Sequence, residues 1–265
     1  MSEGVENLKF VSPDEWREFR RYLLKQNRYV LNKKWSRFIE TILFTAKKRE
    51  RILKNKMVLF RTRIGSDERE YEDKNGNYRI DVNPLPPQEI DAPPGEKTIE
   101  GRINPRGISY LYLANDIETS ISEVRPWLKQ SVSVGHFSLR RDITVIDASQ
   151  DKHSRHVLSE EKIDQASEKW EAYVWRDINY SFSFPVRVGE EHNQYVPTQY
   201  LSECFKNAGY DGIVYKSSFT KEGYNVALFD SKVTRLLGTQ LFDIESITYD
   251  YRESANPYFC EGKIE

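Results

Sequence analysis

The chain has 265 residues, 38% of them hydrophobic, which is enough apolar material for one large domain or two small ones with a packed core. Its 40 basic and 41 acidic residues leave a formal net charge of -1 at pH 7, which argues against direct nucleic-acid binding. No apolar run approaches the roughly 20 residues of a transmembrane helix, and residues 1–7 lack the basic and apolar regions of a signal peptide. Because Cys204 and Cys260 are too few for a disulfide framework, we expect a reduced, cytoplasmic protein without a membrane association.

Two amphipathic helices are predicted in the first part of the chain. Residues 12–15 form a capping box with proline at the first helical position, and a second helix is predicted from about residue 32 to residue 51. The apolar stripes consist of Trp16, Phe19 and Leu23 on the first helix and Trp35, Phe38, Ile39, Ile42 and Leu43 on the second. We therefore divide the chain into a helical appendage at 1–56 and a second domain at 57–265. The stripes must pack on that domain or on another copy of the chain, so a homo-oligomer is one of the two expectations.

A strand and a polar insertion follow. Residues 57–65 are predicted to form a strand that ends in glycine. Residues 66–97 are polar and contain a turn signal at 73–77 and five prolines between Pro84 and Pro94. We interpret 66–97 as an insertion that is either disordered or covers a site.

The stretch 101–124 carries the clearest chemical signal. A glycine-bounded turn with Arg102 and Arg106 leads into an apolar strand at 110–114, which leads into a short capped helix that contains Glu123. Fixed arginines suit an anionic ligand, and a fixed carboxylate suits a developing positive charge. The sequence therefore predicts that both kinds of group lie close together here.

The rest of the chain mixes strands and helices irregularly. Strands are predicted at 132–137, 143–147, 213–215, 226–229 and within 236–251, and helices at 159–179 and 198–208. Because there is no regular βαβ alternation, the pattern favours an α+β fold over a doubly wound α/β fold.

Several familiar sites are absent from the sequence. It contains no P-loop, no GxGxxG, no HExxH, no CxxC and no GxSxG motif. His153 and His156 could share a helix face, but no cysteine or carboxylate motif accompanies them, so we expect no metal site. The remaining chemical candidates are Arg61, Arg102, Tyr112, Glu123, Ser217 and Ser218. Taken singly, each is explained more simply as a surface, core or loop residue.

Taken together, these residues resemble the RES-domain family over 59–230. The matching blocks are 59–61, 101–105, Tyr112 with Glu123, 195–199, 209–217 and 225–230. Two features depart from the family pattern. Ile103 stands where many members have an aromatic residue, and neither 1–56 nor 66–97 belongs to the minimal domain.

The resemblance implies a fold, an activity and a set of site residues. The implied fold is a mixed β core with flanking helices, similar to ADP-ribosyltransferases, and the implied activity is the degradation of NAD, which is a substrate and not a resident cofactor. Many members are toxins that pair with an Xre-type antitoxin protein. The implied catalytic residues are Glu123, Arg61, Tyr112 and Ser217, with Ser218 as the alternative if the loop register is shifted by one. The implied NAD-binding residues are Arg61, Arg102, Asn104, Tyr112, Ser217 and Asn225.

The chemistry of NAD agrees with these residues but leaves the acceptor open. Cleavage of the nicotinamide–ribose bond passes through an oxocarbenium-like state, which the Glu123 carboxylate would stabilise, while Arg61 and Arg102 would bind the diphosphate. The acceptor is inorganic phosphate in a phosphorylase or water in a glycohydrolase. We expect phosphate, because Arg61, Arg102 and Arg106 together exceed what one diphosphate needs. The alternatives are an ADP-ribosyltransferase that modifies a macromolecule and a non-catalytic binding module.

Overall fold

The structure is a computed structural model, which describes residues 8–150, 167–184, 192–251 and 253. The histidines His153 and His156, the first part of the helix predicted at 159–179, and Cys260 lie outside these residues. Within the described part of the chain, no helix is both long and apolar enough to span a membrane.

The described residues form six α-helices and ten β-strands. The helices are α1 (Glu15–Lys25), α2 (Lys33–Ala46), α3 (Pro87–Ile90), α4 (Ile117–Val124), α5 (Ser167–Ser183) and α6 (Val196–Asn207). The strands are β1 (Glu50–Leu53), β2 (Val58–Ile64), β3 (Asp67–Glu72), β4 (Tyr78–Asn83), β5 (Leu111–Ala114), β6 (Ser131–Leu139), β7 (Ile143–Asp147), β8 (Gly212–Lys216), β9 (Tyr224–Leu228) and β10 (Thr234–Asp243).

Eight of these strands form one mixed sheet. Their order is β1-β7-β8-β9-β5-β2-β6-β10, and the described pairs are antiparallel except for the parallel pair β7–β8. The strands β3 and β4 form a separate two-stranded sheet. Helices and strands do not alternate regularly along the chain, so the predicted α+β class is confirmed.

The large sheet opens between β5 and β2. β2 pairs with β6 along its whole length, from Val58 to Ile64. By contrast, β2 pairs with β5 only where Phe60 lies opposite Ala114. Helix α4 follows β5 and is held to β2 by a hydrogen bond of 2.6 Å between the buried hydroxyls of Thr62 and Ser120. Side chains from β2, β5 and α4 therefore face a common opening beside the single pairing.

The N-terminal helices pack on the rest of the chain. Trp16 and Trp175 are fully buried, and each indole donates one hydrogen bond across the helix layer. Trp16 Nε1 donates to Ser181 Oγ of α5 at 2.8 Å, and Trp175 Nε1 of α5 donates to Thr45 Oγ1 of α2 at 3.0 Å. The apolar stripes of α1 and α2 thus share one hydrophobic core with α5 and α6.

The predicted bounds of both N-terminal helices need correction. α1 begins at Glu15, two residues later than the capping box indicates, and the Glu15 carboxylate accepts a hydrogen bond of 2.7 Å from the Val11 N–H. The extension of the second helix to residue 51 is wrong, because α2 ends at Ala46 and β1 pairs with β7. In β1 the side chains alternate between the two faces of the sheet, with Leu53 buried and Ile52 exposed, as in a strand and not as in a helix.

The insertion at 66–97 is ordered in the structure and has two parts. β3 and β4 form an exposed hairpin, and both ends of this hairpin are tied to the fully buried Ser133 of β6. The Ser133 hydroxyl donates to the Gly65 carbonyl at 2.7 Å and accepts from the Leu85 N–H at 2.8 Å. Beyond the hairpin, α3 buries Ile90 in the core formed with Leu59. The second part of the insertion therefore belongs to the core.

Candidate active site

The opening in the sheet is a cleft of about 410 Å³. Its wall includes Arg61 and Arg63 of β2, Tyr112 of β5, Glu123 of α4, Tyr215 of β8 and Asn225 of β9. Gly101 and Arg102 close one side of it. No residue of 66–97 is among those that line this cleft, so the part of the insertion that the structure describes does not cover it.

Glu123 lies at the meeting point of three segments that are distant in sequence. It is the residue before the last one of α4, a helix that begins where the Asp116 carboxylate accepts a hydrogen bond of 2.7 Å from the Thr119 N–H. Its Oε1 accepts hydrogen bonds from Asn225 Nδ2 at 2.6 Å and from Ser217 Oγ at 2.9 Å. The carboxylate is therefore fixed in orientation, as a group that must stabilise a developing charge needs to be.

The two candidate serines have different partners. Ser217 is buried, its hydroxyl contacts Glu123, and the same hydroxyl accepts a hydrogen bond of 3.1 Å from the Phe219 N–H. The Ser218 hydroxyl instead donates to the Ser183 carbonyl at 2.7 Å, at the end of α5. The structure thus places Ser217, and not Ser218, beside Glu123.

Arg102 connects Glu123 with the C-terminal end of α5. Its Nη1 donates to the carbonyls of Phe182 and Ser183 at 2.9 and 2.6 Å, where a helix end favours a cation. Its Nη2 lies 3.7 Å from Glu123 Oε2. Arg102 therefore orients the carboxylate and the helix end together, a role that the sequence analysis did not include.

Tyr112 and Asn104 hold the turn that carries Arg102. The Tyr112 hydroxyl donates to Asn104 Oδ1 at 2.7 Å and accepts from the Ile103 N–H at 3.2 Å. Burial raises the pKa of Tyr112 to about 12, so this donor stays protonated at neutral pH. A side chain at Gly101 would collide with both polar groups, which explains why glycine stands there. With its hydroxyl engaged, Tyr112 presents its ring to the cleft.

Two of the predicted site residues, Asn104 and Ser217, are not among the residues that line the cleft, and Asn104 also lacks a hydrogen bond with Glu123. Asn104 is buried, and its amide nitrogen donates to the carbonyls of Ile99 and Pro105 at 2.9 and 3.2 Å. Its amide groups are engaged within the turn. The structure therefore gives Asn104 a positioning role and brings Arg61, Arg102, Tyr112, Glu123 and Asn225 to the cleft wall.

The third arginine of the cleft is Arg63. Arg106, which the sequence analysis counted as an anion donor, is exposed at the turn and does not line the cleft. Arg63 follows Arg61 by two positions in β2, so both side chains leave the same face of the strand. That spacing was the signal that could have identified Arg63 from sequence.

Tyr215 is a second residue that the sequence analysis missed as a wall residue. It is buried on β8, lines the cleft, and lies two positions before Ser217, the same period-two signal. Burial raises the pKa of its phenol well above the ordinary value. Tyr215 therefore contributes a buried, neutral phenol to the wall of the cleft.

Metal ligands are not grouped in the part of the chain that the structure describes, where no three His, Cys, Asp or Glu side chains could hold an ion together. The cleft wall contains two carboxylates, Glu123 and Glu100, and three arginines, Arg61, Arg63 and Arg102. Such a set suits an anionic ligand with a carbon centre that becomes positive.

Comparisons with known proteins address the family of the chain. A comparison with curated proteins gave no match. Among solved structures, a chain from the crystal structure of the M. tuberculosis MbcT–MbcA toxin–antitoxin complex is 13% identical, with a TM-score of 0.38. That alignment covers 75% of the present chain and 88% of the other.

The family model of the RES domain matches residues 78–249, which is more than half of the chain. The matched range contains Arg102, Tyr112, Glu123, Ser217 and Asn225, and Arg61 precedes it. The resemblance seen in the sequence is therefore confirmed, and the chain belongs to the RES-domain family.

Proposed function

We propose that this protein degrades NAD by cleaving the nicotinamide–ribose bond, with inorganic phosphate or water as the acceptor. The observation that carries the proposal is the Glu123 carboxylate, fixed by Ser217 and Asn225 on the wall of a cleft that also holds three arginines. Membership of the RES-domain family supports NAD as the substrate. NAD is consumed in this reaction, so no resident cofactor is invoked.

The proposed reaction needs a charge stabiliser more than a general acid. The electron pair of the C–N bond leaves with the pyridine nitrogen, which makes nicotinamide neutral, and the ribose carbon becomes oxocarbenium-like. A fixed carboxylate beside that carbon stabilises its positive charge. An acceptor oxygen then forms the new bond. Phosphate yields ADP-ribose 1″-phosphate, whereas water yields ADP-ribose and a proton.

The other residues would bind and orient the substrate. Arg61 would donate to the diphosphate. Its Nη1 is held by the Tyr112 carbonyl at 3.2 Å, which fixes the side chain, and its Nε has no protein partner among the described residues and is available to a ligand. The Tyr112 ring would stack against the nicotinamide or the ribose. Arg102 would keep Glu123 aligned through the contact between Nη2 and Oε2.

The purified chain incubated with NAD, with and without phosphate, tests this proposal by mass spectrometry of the products. Release of nicotinamide with ADP-ribose 1″-phosphate, at a rate that rises with phosphate, would identify a phosphorylase. Plain ADP-ribose at every phosphate concentration would identify a glycohydrolase. Labelling of an added macromolecule without turnover of NAD alone would favour the ADP-ribosyltransferase, and intact NAD in all mixtures would reject the enzyme.

We further propose that the protein acts as a toxin that an Xre-type antitoxin neutralises, on the basis of its family. Induced expression should lower the NAD content of a bacterial host and arrest its growth. Co-expression of a neighbouring helix-turn-helix protein should restore both. Normal growth with an unchanged NAD content, despite soluble expression, would contradict the toxin assignment.

A further inference from the structure

We propose that Arg63 forms, together with Arg61, a subsite of the cleft that binds a phosphate group. This proposal adds a binding residue to the proposed function. It depends on that function only for the identity of the molecule that carries the phosphate group. Its basis is a pair of arginines on one strand face, neither of which forms an ion pair within 4 Å among the described residues.

The first step concerns where the two side chains point. Side chains two positions apart in a strand lie on the same face, at intervals of roughly 7 Å. One face of β2 therefore carries a row that consists of Leu59, Arg61 and Arg63. Leu59 at the start of this row is fully buried in the core with Ile90. Arg61 and Arg63 continue the row out of that core and into the cleft wall.

The second step explains why water does not fully solvate these arginines. Gly135 of β6 lies directly opposite Arg61, and a side chain there would collide with Ile90 of α3. Ile90 of α3 thus packs on the sheet at the inner end of the arginine row, outside the cleft itself. Burial lowers the pKa of Arg61 to about 10, with the Arg63 charge as the next cause, and burial also lowers the pKa of Arg63. The positive charge of Arg63 thus adds to the cost of charging Arg61.

The third step is that no carboxylate pairs directly with either arginine. The Asp91 charge partly opposes the lowering of the Arg61 pKa by burial, and Glu100 lines the same cleft, but neither carboxylate lies within the 4 Å of an ion pair. Across the described residues, neither Arg61 nor Arg63 forms an ion pair within 4 Å, and the Nε of each is buried without a hydrogen-bond partner. The Glu123 carboxylate of the same cleft is engaged with Ser217, Asn225 and Arg102. Both arginines are half-buried, and a buried N–H group without a hydrogen-bond partner costs stability. Two such Nε groups on the wall of one cleft therefore indicate an anionic ligand.

The fourth step identifies the chemistry of that ligand. Guanidinium groups are planar forks that bind phosphate oxygens in pairs, and two of them on one wall supply more donors than a single carboxylate can accept. A phosphate group has enough oxygens and charge for both. The phosphate belongs either to the diphosphate of a dinucleotide or to free inorganic phosphate in the position of an acceptor.

Calorimetric binding of three probes tests the subsite without relying on turnover. The probes are inorganic phosphate, ADP-ribose and adenosine, and the proteins are the wild type, R63Q and the control R106Q, whose arginine is exposed and outside the cleft. We expect R63Q to weaken binding of a phosphate-bearing probe roughly tenfold or more, the effect of losing a hydrogen bond to a charged group. Adenosine binding should not change in R63Q, and R106Q should match the wild type with every probe.

The pattern of losses distinguishes the two sources of phosphate. Weaker ADP-ribose binding alone assigns Arg63 to the diphosphate, and weaker phosphate binding alone assigns it to a free-phosphate subsite. Wild-type affinity of R63Q for both probes would overturn the proposal, as would a wild-type protein that binds neither. Because no NAD is cleaved in these mixtures, a failure of the proposed function would leave the result interpretable.

Thermal unfolding provides the second measurement. R63M keeps an unbranched apolar side chain and removes the guanidinium charge, so its melting temperature without ligand should equal or exceed that of the wild type. Phosphate or ADP-ribose should raise the melting temperature of the wild type and R106Q, and R63M should lose most of that increase. A full ligand-induced increase in R63M would overturn the proposal even if R63Q fails to fold.

Discussion

At the scale of single residues, the site depends on polar groups that fix one another. Glu123 is oriented by Ser217, Asn225 and Arg102, and Arg102 is in turn held by the carbonyls at the end of α5. The family resemblance was enough to select these four residues from the sequence. It did not predict their contacts, because Glu123 and Asn225 are separated by about a hundred residues and meet only through the sheet.

The serines beside Glu123 allow a matched test of this arrangement. S217A removes a donor to the Glu123 carboxylate, so we expect NAD turnover to fall about 10- to 150-fold, the rate equivalent of a hydrogen bond to a charged group. S218A removes only the contact with the Ser183 carbonyl, so turnover should stay close to that of the wild type. Steady-state kinetics of the two variants measure the difference. Equal losses in both would show that the loop as a whole, and not the Ser217 hydroxyl, matters.

The raised pKa of Tyr112 predicts how stability depends on pH. Its pKa is about 12 in the folded protein and about 10 in an unfolded chain, so between these values the unfolded chain loses a proton that the folded one keeps. Stability from this group is therefore full below pH 10 and is lost as the pH rises toward 12. Y112F should lose less stability than the wild type over that interval, as measured by urea unfolding at fixed pH values. Parallel pH curves for the two proteins would exclude the phenol as the cause.

At the scale of secondary-structure elements, the cleft exists because β2 and β5 pair at one position only. β2 forms a continuous ladder of backbone pairs with β6, and its other edge is largely unpaired beside α4. The single pairing of Phe60 with Ala114 joins the five strands on the β5 side of the sheet to the three strands on the β2 side. The rest of the opening has room for a ligand.

The spacing of apolar residues predicted most of the elements in which that spacing is regular. The strands β2, β5, β6 and β7 and the helix α6 were predicted within a few residues of their observed bounds, and α4 was predicted as a short helix that contains Glu123. The approach of β2 to α4 had no local signal, because the Thr62–Ser120 hydrogen bond joins residues far apart in sequence.

Two other elements were missed for local physical reasons. β1 follows α2 after only three residues, so the charged segment at 47–49 resembled a helix end. β3 and β4 were missed because their side chains are mostly exposed and charged, which hides the period of two.

The β3–β4 hairpin should be dispensable for folding and for chemistry. Its side chains are largely exposed, none of them lines the cleft, and its two ends are already close because both bind Ser133. Replacement of residues 67–83 by a short Gly-Ser linker should therefore leave the melting temperature within a few degrees and NAD turnover unchanged. A matched deletion that also removes residues 84–90, and with them Ile90, should destabilise the protein, because Ile90 is fully buried. Loss of activity in the first variant would give the hairpin a role that its contacts do not explain.

At the scale of the whole molecule, the N-terminal helices and the sheet share one core. Phe19 of α1 is fully buried and lies 5.9 Å from Tyr200 of α6, measured between ring centres. The same core includes Tyr215, which is also a residue of the cleft wall. The N-terminal helices therefore support the helix layer behind the candidate site.

A substitution in α1 should consequently destabilise the entire chain. F19A removes a fully buried ring, and we expect a loss of about 3–5 kcal/mol in the free energy of unfolding. Y29A is the control, because Tyr29 is 90% exposed and should contribute little. A single cooperative transition at lower urea concentration in F19A would agree with the shared core. Separate transitions for 1–56 and the remainder would show that the two parts fold independently.

The central claim, that Glu123 stabilises the charge formed when the nicotinamide–ribose bond breaks, is tested most directly by the rate of nicotinamide release from NAD in E123Q. Glutamine keeps the shape of the side chain but lacks the charge, so we predict a loss of about 10²–10³-fold relative to the wild type. E118Q, with its side chain exposed on the same helix, should release nicotinamide at the wild-type rate. Release at the wild-type rate by E123Q, with an unchanged melting temperature, would contradict the account.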